Sequence, residues 1–466
     1  MNVTILRNCM AVALMDEQRT ILKNADIRIE DNRIAAVGYQ LDVPQRANIM
    51  DASRFVVIPG MINTHHHLYQ TLFRNVPRVQ NAKLFDWLVN LYQGWRHIHP
   101  QAVHSAALVG LGELLLTGCT TASDHHYLFP RGYGEELLES EIQAARQLGI
   151  RFYPTRGSMS RGVSKGGLPP DDVVQSEDEI LRSSEECIRK WHDPAPGAML
   201  RLALAPCSPF SVTPELLKES AHLARRYGVR LHTHLAETRD EDDYCVQVLN
   251  MRPLAFMESV EWVGPDVWYA HGIWFNDDEI QLLGKTKTGI AHCPSSNLRL
   301  GSGIARVVDL RNAHVPVGLA VDGSASNDAS DMLAEARMAM LVHRIGPHGV
   351  GAASALDALE IATFGSATVL GWENELGRIA PGYLADLACF DMHDIAYAGA
   401  LSDPIAALVF CNSRRRAHTV FVNGHMVVHE GHLLHVDEWQ VVENHNRVAA
   451  DILQKAAHDI DLLHVK

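Results

Sequence analysis

The sequence lacks several features that are typical of secreted and membrane proteins. Its 8 cysteines include no Cys-x-x-Cys pair, and no apolar run is long enough to cross a bilayer. The N-terminal segment carries no signal-peptide pattern. Scattered cysteines in such a chain are typical of reduced, mostly buried thiols. We therefore expect a cytoplasmic protein that does not use a membrane as a partner.

Positive charge is also scarce. Lys and Arg number 41 against 55 Asp and Glu, which gives a formal net charge of −14 at pH 7. Proteins that bind nucleic acids neutralise phosphates with clustered Lys and Arg. The basic cluster at 414–416 adjoins a predicted strand, where we expect it to be solvated or ion-paired. We therefore expect no nucleic-acid partner.

The pattern of apolar runs changes twice along the 466 residues. Short alternating runs near the N-terminus, such as 3–6 and 25–30, indicate β-strands. From Val56 onward, apolar strands alternate with segments of helical period, which indicates βα units and a parallel sheet. Beyond Leu376 the β character returns, and Asn423-Gly424 is a strong hairpin-turn signal.

The middle of the chain supplies eight strands, the number that a (β/α)8 TIM barrel needs. They are residues 56–58, 120–123, 151–155, 201–205, 230–235, 267–270, 289–291 and 317–321. Because β segments from both chain ends flank this barrel, the simplest packing joins them into one small β-sandwich. The predicted α/β fold thus has a barrel at 56–375, a sandwich from 1–55 and 376–436, and a C-terminal helix at 437–466.

Polar side chains stand where several of these apolar runs stop. His65 and His67 share one strand face, because alternate side chains point the same way. Later runs end at or near His234, His271 and Asp322. In a parallel barrel, catalytic groups collect at the carboxyl ends of the strands. Three imidazoles and one carboxylate suit a divalent metal, with a position left for water.

Periodicity leaves some of the histidines undecided. His232 and His234 lie on the same strand face, so spacing does not choose between them. His234 is favoured because it is nearer the strand end. His125 and His126 end another strand, where a pocket-lining role and a structural role fit the pattern equally well.

Taken in order, these motifs resemble the amidohydrolase superfamily, in its cytosine/guanine deaminase and triazine hydrolase branch. The resemblance covers essentially the whole chain. It is carried by Pro-Gly-Met-Ile-Asn-Thr-His-His-His at 59–67, His-Leu-Ala-Glu at 234–237, His271, and Val-Asp-Gly-Ser-Ala-Ser-Asn at 321–327. Arg-Gly-Ser-Met-Ser at 156–160 and Pro-Cys-Ser-Pro-Phe at 206–210 are similar to segments of bacterial 8-oxoguanine deaminases.

The resemblance implies a metal-dependent hydrolase that removes an amino group from a purine, converting 8-oxoguanine and water to urate and ammonia. It assigns as ligands of one divalent metal His65, His67, His234 and Asp322. Zinc is favoured, and iron or manganese accepts the same donors. Glu237 is then the proton shuttle, His271 polarises the substrate carbonyl or the bound water, and Asp322 accepts a proton from water.

Two further residues are predicted to bind the substrate, a purine or a related N-heterocycle. Gln70 stands three residues after His67, and an amide donates and accepts hydrogen bonds at once. Arg156 ends the third strand and offers donors for a ring carbonyl, although a structural ion pair explains it equally well. A homo-oligomer is also compatible with the resemblance.

Other functions compete with this one. One alternative is hydrolysis of an amino- or alkylamino-substituted triazine or pyrimidine, such as hydroxyatrazine or isocytosine. That reaction would use the same groups at the strand ends. Guanine is a further candidate, but guanine deaminases carry Pro-Arg-Phe where this chain has Pro-Cys-Ser-Pro-Phe at 206–210. A non-catalytic scaffold would be expected to have lost ligands, and all four are present.

Overall fold

The computed structural model describes residues 2–411 and 416–464. Its strands are β1 (Val3–Cys9), β2 (Ala11–Ala13), β3 (Ile21–Leu22), β4 (Ala25–Glu30), β5 (Arg33–Gly38), β6 (Asn48–Asp51), β7 (Phe55–Pro59), β8 (Met61–Asn63), β9 (Cys119–His126), β10 (Arg151–Ser158), β11 (Ala203–Pro206), β12 (Leu231–Leu235), β13 (Val267–His271), β14 (Gly289–His292), β15 (Val317–Leu319), β16 (Leu387–Asp391), β17 (Thr419–Val422), β18 (His425–His429) and β19 (His432–Leu433).

Its helices are α1 (Leu84–Trp95), α2 (Pro100–Leu116), α3 (Glu135–Leu148), α4 (Glu177–Trp191), α5 (Pro214–Tyr227), α6 (Arg239–Leu249), α7 (Pro253–Ser259), α8 (Asp277–Thr286), α9 (Pro294–Arg299), α10 (Val307–Asn312), α11 (Met332–His343), α12 (Ala355–Glu360), α13 (Ser366–Leu370), α14 (Pro404–Phe410) and α15 (Glu438–Ala456). A 3-10 turn, Leu68–Phe73, follows the first barrel strand.

Eight parallel strands, β8 to β15, lie side by side in sequence order. The sheet closes on itself, because the N–H of Thr64, just after β8, donates to the carbonyl oxygen of Leu319 in β15 at 3.1 Å. Closure brings the carboxyl ends of all these strands to one rim. The predicted (β/α)8 barrel is confirmed.

The helices between the strands have ordinary local causes, and α5 is typical. Thr213 caps its N-terminus, where the threonine hydroxyl accepts from the N–H of Leu216 at 3.1 Å. Pro214 occupies the first turn, where its missing N–H costs nothing. Gly228 ends the helix with a φ of 67°, a left-handed conformation that glycine adopts easily. Such signals set where each βα unit turns back to the barrel.

The first barrel strand is not the one that the sequence predicted. Residues 56–58 lie in β7, which pairs antiparallel with β16 and parallel with β2 in the small domain. The barrel begins with β8, which pairs with β9. Both β7 and β8 are buried along their whole length, so no alternation marks the change of sheet. Only Gly60 separates them.

Segments from both chain ends build the small domain, as predicted. One sheet has the order β5-β4-β1-β6, and the other has the order β19-β18-β17-β16-β7-β2-β3. The two sheets share an apolar core that includes Leu6, Ile27, Val57, Leu387 and Phe421. The predicted hairpin turn lies between β17 and β18, where Asn423 and Gly424 have φ values of 52° and 77°. The exact domain boundaries stay a prediction.

The C-terminal helix α15 packs on the barrel near its rim. His445 of α15 lies 3.3 Å from the hydroxyl oxygen of Ser105 in α2 and 3.2 Å from the carbonyl oxygen of Thr71. In the basic cluster, Arg414 and Arg415 lie outside the described residues, and Arg416 pairs with Glu438 at 3.0 Å. Among the described residues, no helix combines the length and apolar character that a membrane span requires.

The junction at Gly60 yields a stability test. A Cβ at this position would lie 2.1 Å from Oγ1 and 2.3 Å from Cγ2 of Thr120. We expect Gly60→Ala to lower the free energy of unfolding by about 1–3 kcal/mol in urea titrations, because overpacking forces buried groups apart. Gly351→Ala is the control, since a Cβ there meets nothing within 4 Å. Equal stability of the two variants would contradict this reading of the junction.

Candidate active site

The four predicted metal ligands come together at the carboxyl rim of the barrel. They are His65 and His67 after β8, His234 in β12 and Asp322 after β15. The Nε2 atoms of His67 and His234 lie 3.1 Å apart. Oδ1 of Asp322 lies 3.3 Å from Nε2 of His65 and 3.4 Å from Nε2 of His67. Barrel closure explains why residues so distant in sequence share one small volume.

Two of these histidines are oriented by the backbone behind them. Nδ1–H of His67 donates to the carbonyl oxygen of His125 at 2.8 Å. Nδ1–H of His234 donates to the carbonyl oxygen of Cys207 at 2.6 Å. A carbonyl can only accept, so each ring carries its proton on Nδ1 and presents a bare Nε2 to the site.

His65 is oriented in the same way by another histidine. Nδ1 of His65 lies 2.7 Å from Nε2 of His232, and Nδ1–H of His232 donates to the carbonyl oxygen of Trp268 at 2.9 Å. The ring of His232 also stacks on Trp268, with centroids 4.4 Å apart. His232 therefore lies one layer below the four converging side chains, and its Nε2 accepts a hydrogen bond from Nδ1–H of His65.

This donor set fits a divalent metal. Nε2 of His65 is buried and has no hydrogen-bond partner among the described residues. The lone pairs of His67 and His234, 3.1 Å apart, repel each other unless a cation lies between them. Three neutral imidazoles and one carboxylate are donors that zinc accepts readily.

The protonation states of these side chains also fit a divalent metal. Burial lowers the pKa of His65 well below its ordinary value, and it lowers the pKa of His234 to about 3. Burial alone would raise the pKa of Asp322, but the neighbouring histidines, His65 foremost, hold it well below the ordinary value. At neutral pH the imidazoles are neutral and Asp322 is ionised, as metal ligation requires.

Glu237 and His271 form a second pair beside the ligands, with Oε2 of Glu237 3.5 Å from Nε2 of His271. Nδ1–H of His271 donates to Oδ1 of Asn297 at 2.9 Å, which turns Nε2 towards the site. Glu241 accepts from the backbone N–H groups of Ala236 and Glu237 at 2.9 and 3.0 Å. The loop that carries Glu237 is therefore held from behind.

This pair is suited to proton transfer. Burial raises the pKa of Glu237 to about 7. Burial alone would lower the pKa of His271, but the charges of Glu237 and Asp322 raise it above the ordinary value. His271 and Asp322 also have left-handed φ values of 73° and 64°, a strained backbone that clusters at functional sites.

A pocket with about 520 Å³ of empty space opens over these groups. Gln70, on the 3-10 turn after His67, lines it, and its buried Oε1 has no partner among the described residues. Gly323 leaves room for this amide, since a Cβ at 323 would lie 1.9 Å from Oε1 of Gln70. Of the two predicted substrate-binding residues, Gln70 is the one that reaches the pocket.

Sequence reasoning missed most of the pocket wall. The missed lining residues are Leu84, Trp87, Leu88, Tyr92, Tyr127, Ser208, Phe210, Glu241, Leu300 and Ser326. The first four lie on one face of α1, where their helical spacing signals burial but not what they are buried against. Cys207, one of the scattered cysteines, also lines the pocket, with Sγ 3.9 Å from Nδ1 of His234.

Arg156 does not reach the pocket. Its side chain leaves the barrel on the helical side, where Nε donates to the hydroxyl of Ser183 at 3.2 Å and Nη2 donates to Oε1 of Gln175 at 2.7 Å. Its guanidinium also stacks on Phe129, 3.9 Å from the ring centroid. Alternate residues of a strand face opposite ways, and 156 has the outward parity. The expectation that Arg156 binds substrate is therefore not supported.

Three further histidines of these strand ends lie near the site, and one ring nitrogen of His125 lies within 4.8 Å of donor atoms of His65, His67 and His234. Nε2 of His66 lies 2.9 Å from the hydroxyl oxygen of Ser330. His125 stacks on His234 with ring centroids 4.7 Å apart, and its Nε2–H donates to the carbonyl oxygen of Ala205 at 2.9 Å. His126 points out of the barrel towards α3.

Comparison with known proteins gives consistent results. The profile described as "Amidohydrolase family" matches residues 56–427. The chain is 47% identical to an 8-oxoguanine deaminase of Pseudomonas aeruginosa, over 91% of this chain and 94% of that protein. It is 33% identical to the hydroxydechloroatrazine ethylaminohydrolase of Pseudomonas sp. strain ADP, over 95% and 94% of the two chains. The crystal structure of atrazine chlorohydrolase from Arthrobacter aurescens TC1 complexed with zinc superposes with a TM-score of 0.92 at 33% identity, covering 96% of this chain and 100% of that one.

The convergence of four donors predicts the metal content. Elemental analysis should find about one divalent metal per chain. His67→Ala and Asp322→Ala should each lose metal and activity together, because each removes one of the donors. His222→Ala changes a histidine on α5 whose side chain is 42% exposed, and it should keep both. Two tightly held metals per chain would contradict this assignment.

Proposed function

Because the chain belongs to the amidohydrolase family, we propose that its barrel pocket is the active site of a metal-dependent deaminase that hydrolyses 8-oxoguanine to urate and ammonia. The observation that carries the proposal is the convergence of His65, His67, His234 and Asp322 beside the Glu237–His271 pair. The similarity to an 8-oxoguanine deaminase supports the choice of purine. The substrate is thus a small N-heterocycle.

Deamination replaces an amino group with the oxygen of water. A C–O bond forms at the amidine carbon, the C–N bond breaks, and the amino group leaves as ammonia with one proton of water, while the other proton of water ends on the ring nitrogen. A bound divalent metal would lower the pKa of a coordinated water towards neutrality. The residues then have to orient the substrate, accept a proton and return it to the nitrogen.

Glu237 is suited to move that proton. Its carboxyl group lines the pocket, and a pKa of about 7 lets it both accept and donate at neutral pH. It carries a proton to a ring nitrogen and then to the departing amino group, which is a poor leaving group unless protonated. His271, oriented by Asn297, donates towards the substrate carbonyl or the attacking water. Asp322 accepts a proton from that water.

Gln70 is suited to bind one edge of the ring. Its amide is buried, faces the pocket, and has an acceptor oxygen without a partner among the described residues. An amide can pair with an adjacent carbonyl and N–H of a purine. Apolar side chains such as Trp87 and Leu88 line the same pocket and offer surfaces for a flat ring.

A triazine hydrolase is the second candidate. The similarity to a hydroxydechloroatrazine ethylaminohydrolase favours it, and the same ligands and proton carrier would serve an alkylamino leaving group. The likeness to a zinc-containing atrazine chlorohydrolase supports zinc as the metal.

We also propose a cytoplasmic location, since all 8 cysteines are free thiols. A homo-oligomer stays a prediction.

Glu237→Gln tests the proton carrier. The amide keeps the shape of the side chain but removes the titrating group. Turnover should fall by roughly two orders of magnitude or more while the metal is retained. Steady-state kinetics and elemental analysis measure the two quantities. Glu139→Gln changes a glutamate on α3 whose side chain is 41% exposed, and it should behave as wild type. Near wild-type turnover in Glu237→Gln would refute the role.

Substrate choice is tested by ammonia release from a panel of 8-oxoguanine, guanine, isocytosine, cytosine, adenine and hydroxyatrazine. Buried polar groups that lose their partners penalise an analogue, so 8-oxoguanine should exceed guanine in kcat/KM by about a hundredfold or more. Gln70→Ala should reduce that ratio, whereas Arg156→Lys should leave it unchanged, because Arg156 lies outside the pocket. Faster turnover of guanine or hydroxyatrazine would overturn the purine assignment but not the metal-dependent hydrolase.

A further inference from the structure

A buried cluster of ionisable groups lies outside the barrel, behind the site. Asp124 and His126 of β9 point towards Glu141 of α3, and the relative exposure of all three is 0%. One donor atom from each lies within 4.8 Å of the others. Nδ1–H of His126 donates to Oε1 of Glu141 at 2.8 Å. The proposed catalytic steps use none of these residues.

The charge of this cluster is not balanced by a neighbouring ion pair. Oδ2 of Asp124 and Oε2 of Glu141 are buried without hydrogen-bond partners among the described residues. The nearby guanidinium of Arg156 donates instead to Ser183, to Gln175 and to the carbonyl oxygen of Gly157. Aromatic rings complete the surroundings, since Phe129 and Tyr69 lie 5.1 and 5.8 Å from the ring of His126. Two ionised carboxylates in these surroundings would destabilise the fold, because burying unpaired charge carries a large desolvation penalty.

One proton resolves the conflict. A proton on one carboxyl group gives each of the facing oxygens a partner and removes one negative charge. Burial raises the pKa of both acids well above the ordinary value, and the charge of Glu141 raises that of Asp124 further. The hydrogen bond from Asp124 lowers the pKa of Glu141. Glu141 already accepts a hydrogen bond from Nδ1–H of His126, which favours its ionised form, so we place the proton on Asp124.

The cluster is connected directly to the turn that carries the active-site groups. Oδ1 of Asp124 accepts from the N–H of Leu68 at 2.6 Å. Leu68 is the first residue of the 3-10 turn, lying between His67 and Gln70. It is fully buried against α2, where a Cβ at Gly110 would lie 2.6 Å from Leu68 Cδ2. Loss of the Asp124 carboxyl group would therefore leave a buried N–H at the start of this turn without its acceptor.

We propose that Asp124 is a positioning residue, held as a neutral acid that donates to Glu141 while it anchors the N–H of Leu68. His126 completes the cluster by donating to Glu141 from the other side. The anchor fixes the backbone between His67 and Gln70, and so the direction of one metal ligand and of the substrate-reading amide. The inference rests on the proposed function for the roles of His67 and Gln70.

Asparagine at position 124 separates a neutral acid from an ionised one. In Asp124→Asn the amide oxygen still accepts from Leu68 N–H, and the amide NH2 replaces the acid proton towards Glu141. We expect Asp124→Asn to resemble wild type. Asp124→Ala loses both bonds, so its metal should pass to a chelator about tenfold faster or more, and kcat/KM should fall to a similar extent.

Leu138→Ala is the control for general destabilisation. Leu138 is fully buried on α3, the helix that carries Glu141, but makes no bond to the Leu68 turn. It should lower the Tm, because truncation leaves a cavity, and should leave the chelation rate of the folded protein unchanged. The chelation rate needs no substrate, so the proposal can fail or stand independently of the 8-oxoguanine assignment.

Two results would overturn the proposal. One is an equal chelation rate in Asp124→Asn and Asp124→Ala, which would mean that the carboxyl group acts as an anion. The other is a second metal in wild type that Asp124→Asn loses, which would make the cluster a cation site. Rescue by asparagine, with unchanged metal content, supports the neutral acid.

Discussion

The hydrogen bonds behind the histidines are the constraint on which the site depends. An imidazole that donates from one nitrogen leaves a lone pair on the other. His67 and His234 donate to backbone carbonyls at strand ends, and His65 donates to His232. The barrel backbone therefore decides that three lone pairs meet at one point. A cation makes that arrangement favourable, so the hydrogen bonds of the barrel backbone prepare the proposed metal site.

Two buried carboxyl groups in this site receive opposite protonation behaviour from their neighbours. Burial alone would raise the pKa of both Asp322 and Glu237. The histidines around Asp322 outweigh burial and keep it ionised, whereas His271 only partly offsets burial at Glu237. Asp322 is therefore ionised at neutral pH, whereas Glu237 can exchange protons there. Nothing in the residue types predicts this difference, because it arises from distances between strands.

The barrel and the convergence of three histidines and Asp322 at its rim could be predicted because each depends on a local signal. An apolar run that stops at a polar residue marks a strand end, and barrel strand ends share a rim. The direction of a side chain in a fully buried strand leaves no such signal. Arg156 lies in β10, which is buried throughout, so no polar alternation reveals that it faces the helices. The same ambiguity hid the outward direction of His126.

Pairing partners are harder still to predict, because they are set by residues hundreds of positions away. The apolar sequence of β7 resembles that of a barrel strand, yet β7 pairs with β16, which follows the barrel in sequence. The face of α1 reads like an ordinary core face, yet part of it lines the pocket. A sequence pattern records that a residue is buried, not what it is buried against. The type of reaction depends on a few polar groups at strand ends, whereas substrate choice depends on the side chains that line the pocket. The reaction class is therefore easier to predict than the substrate.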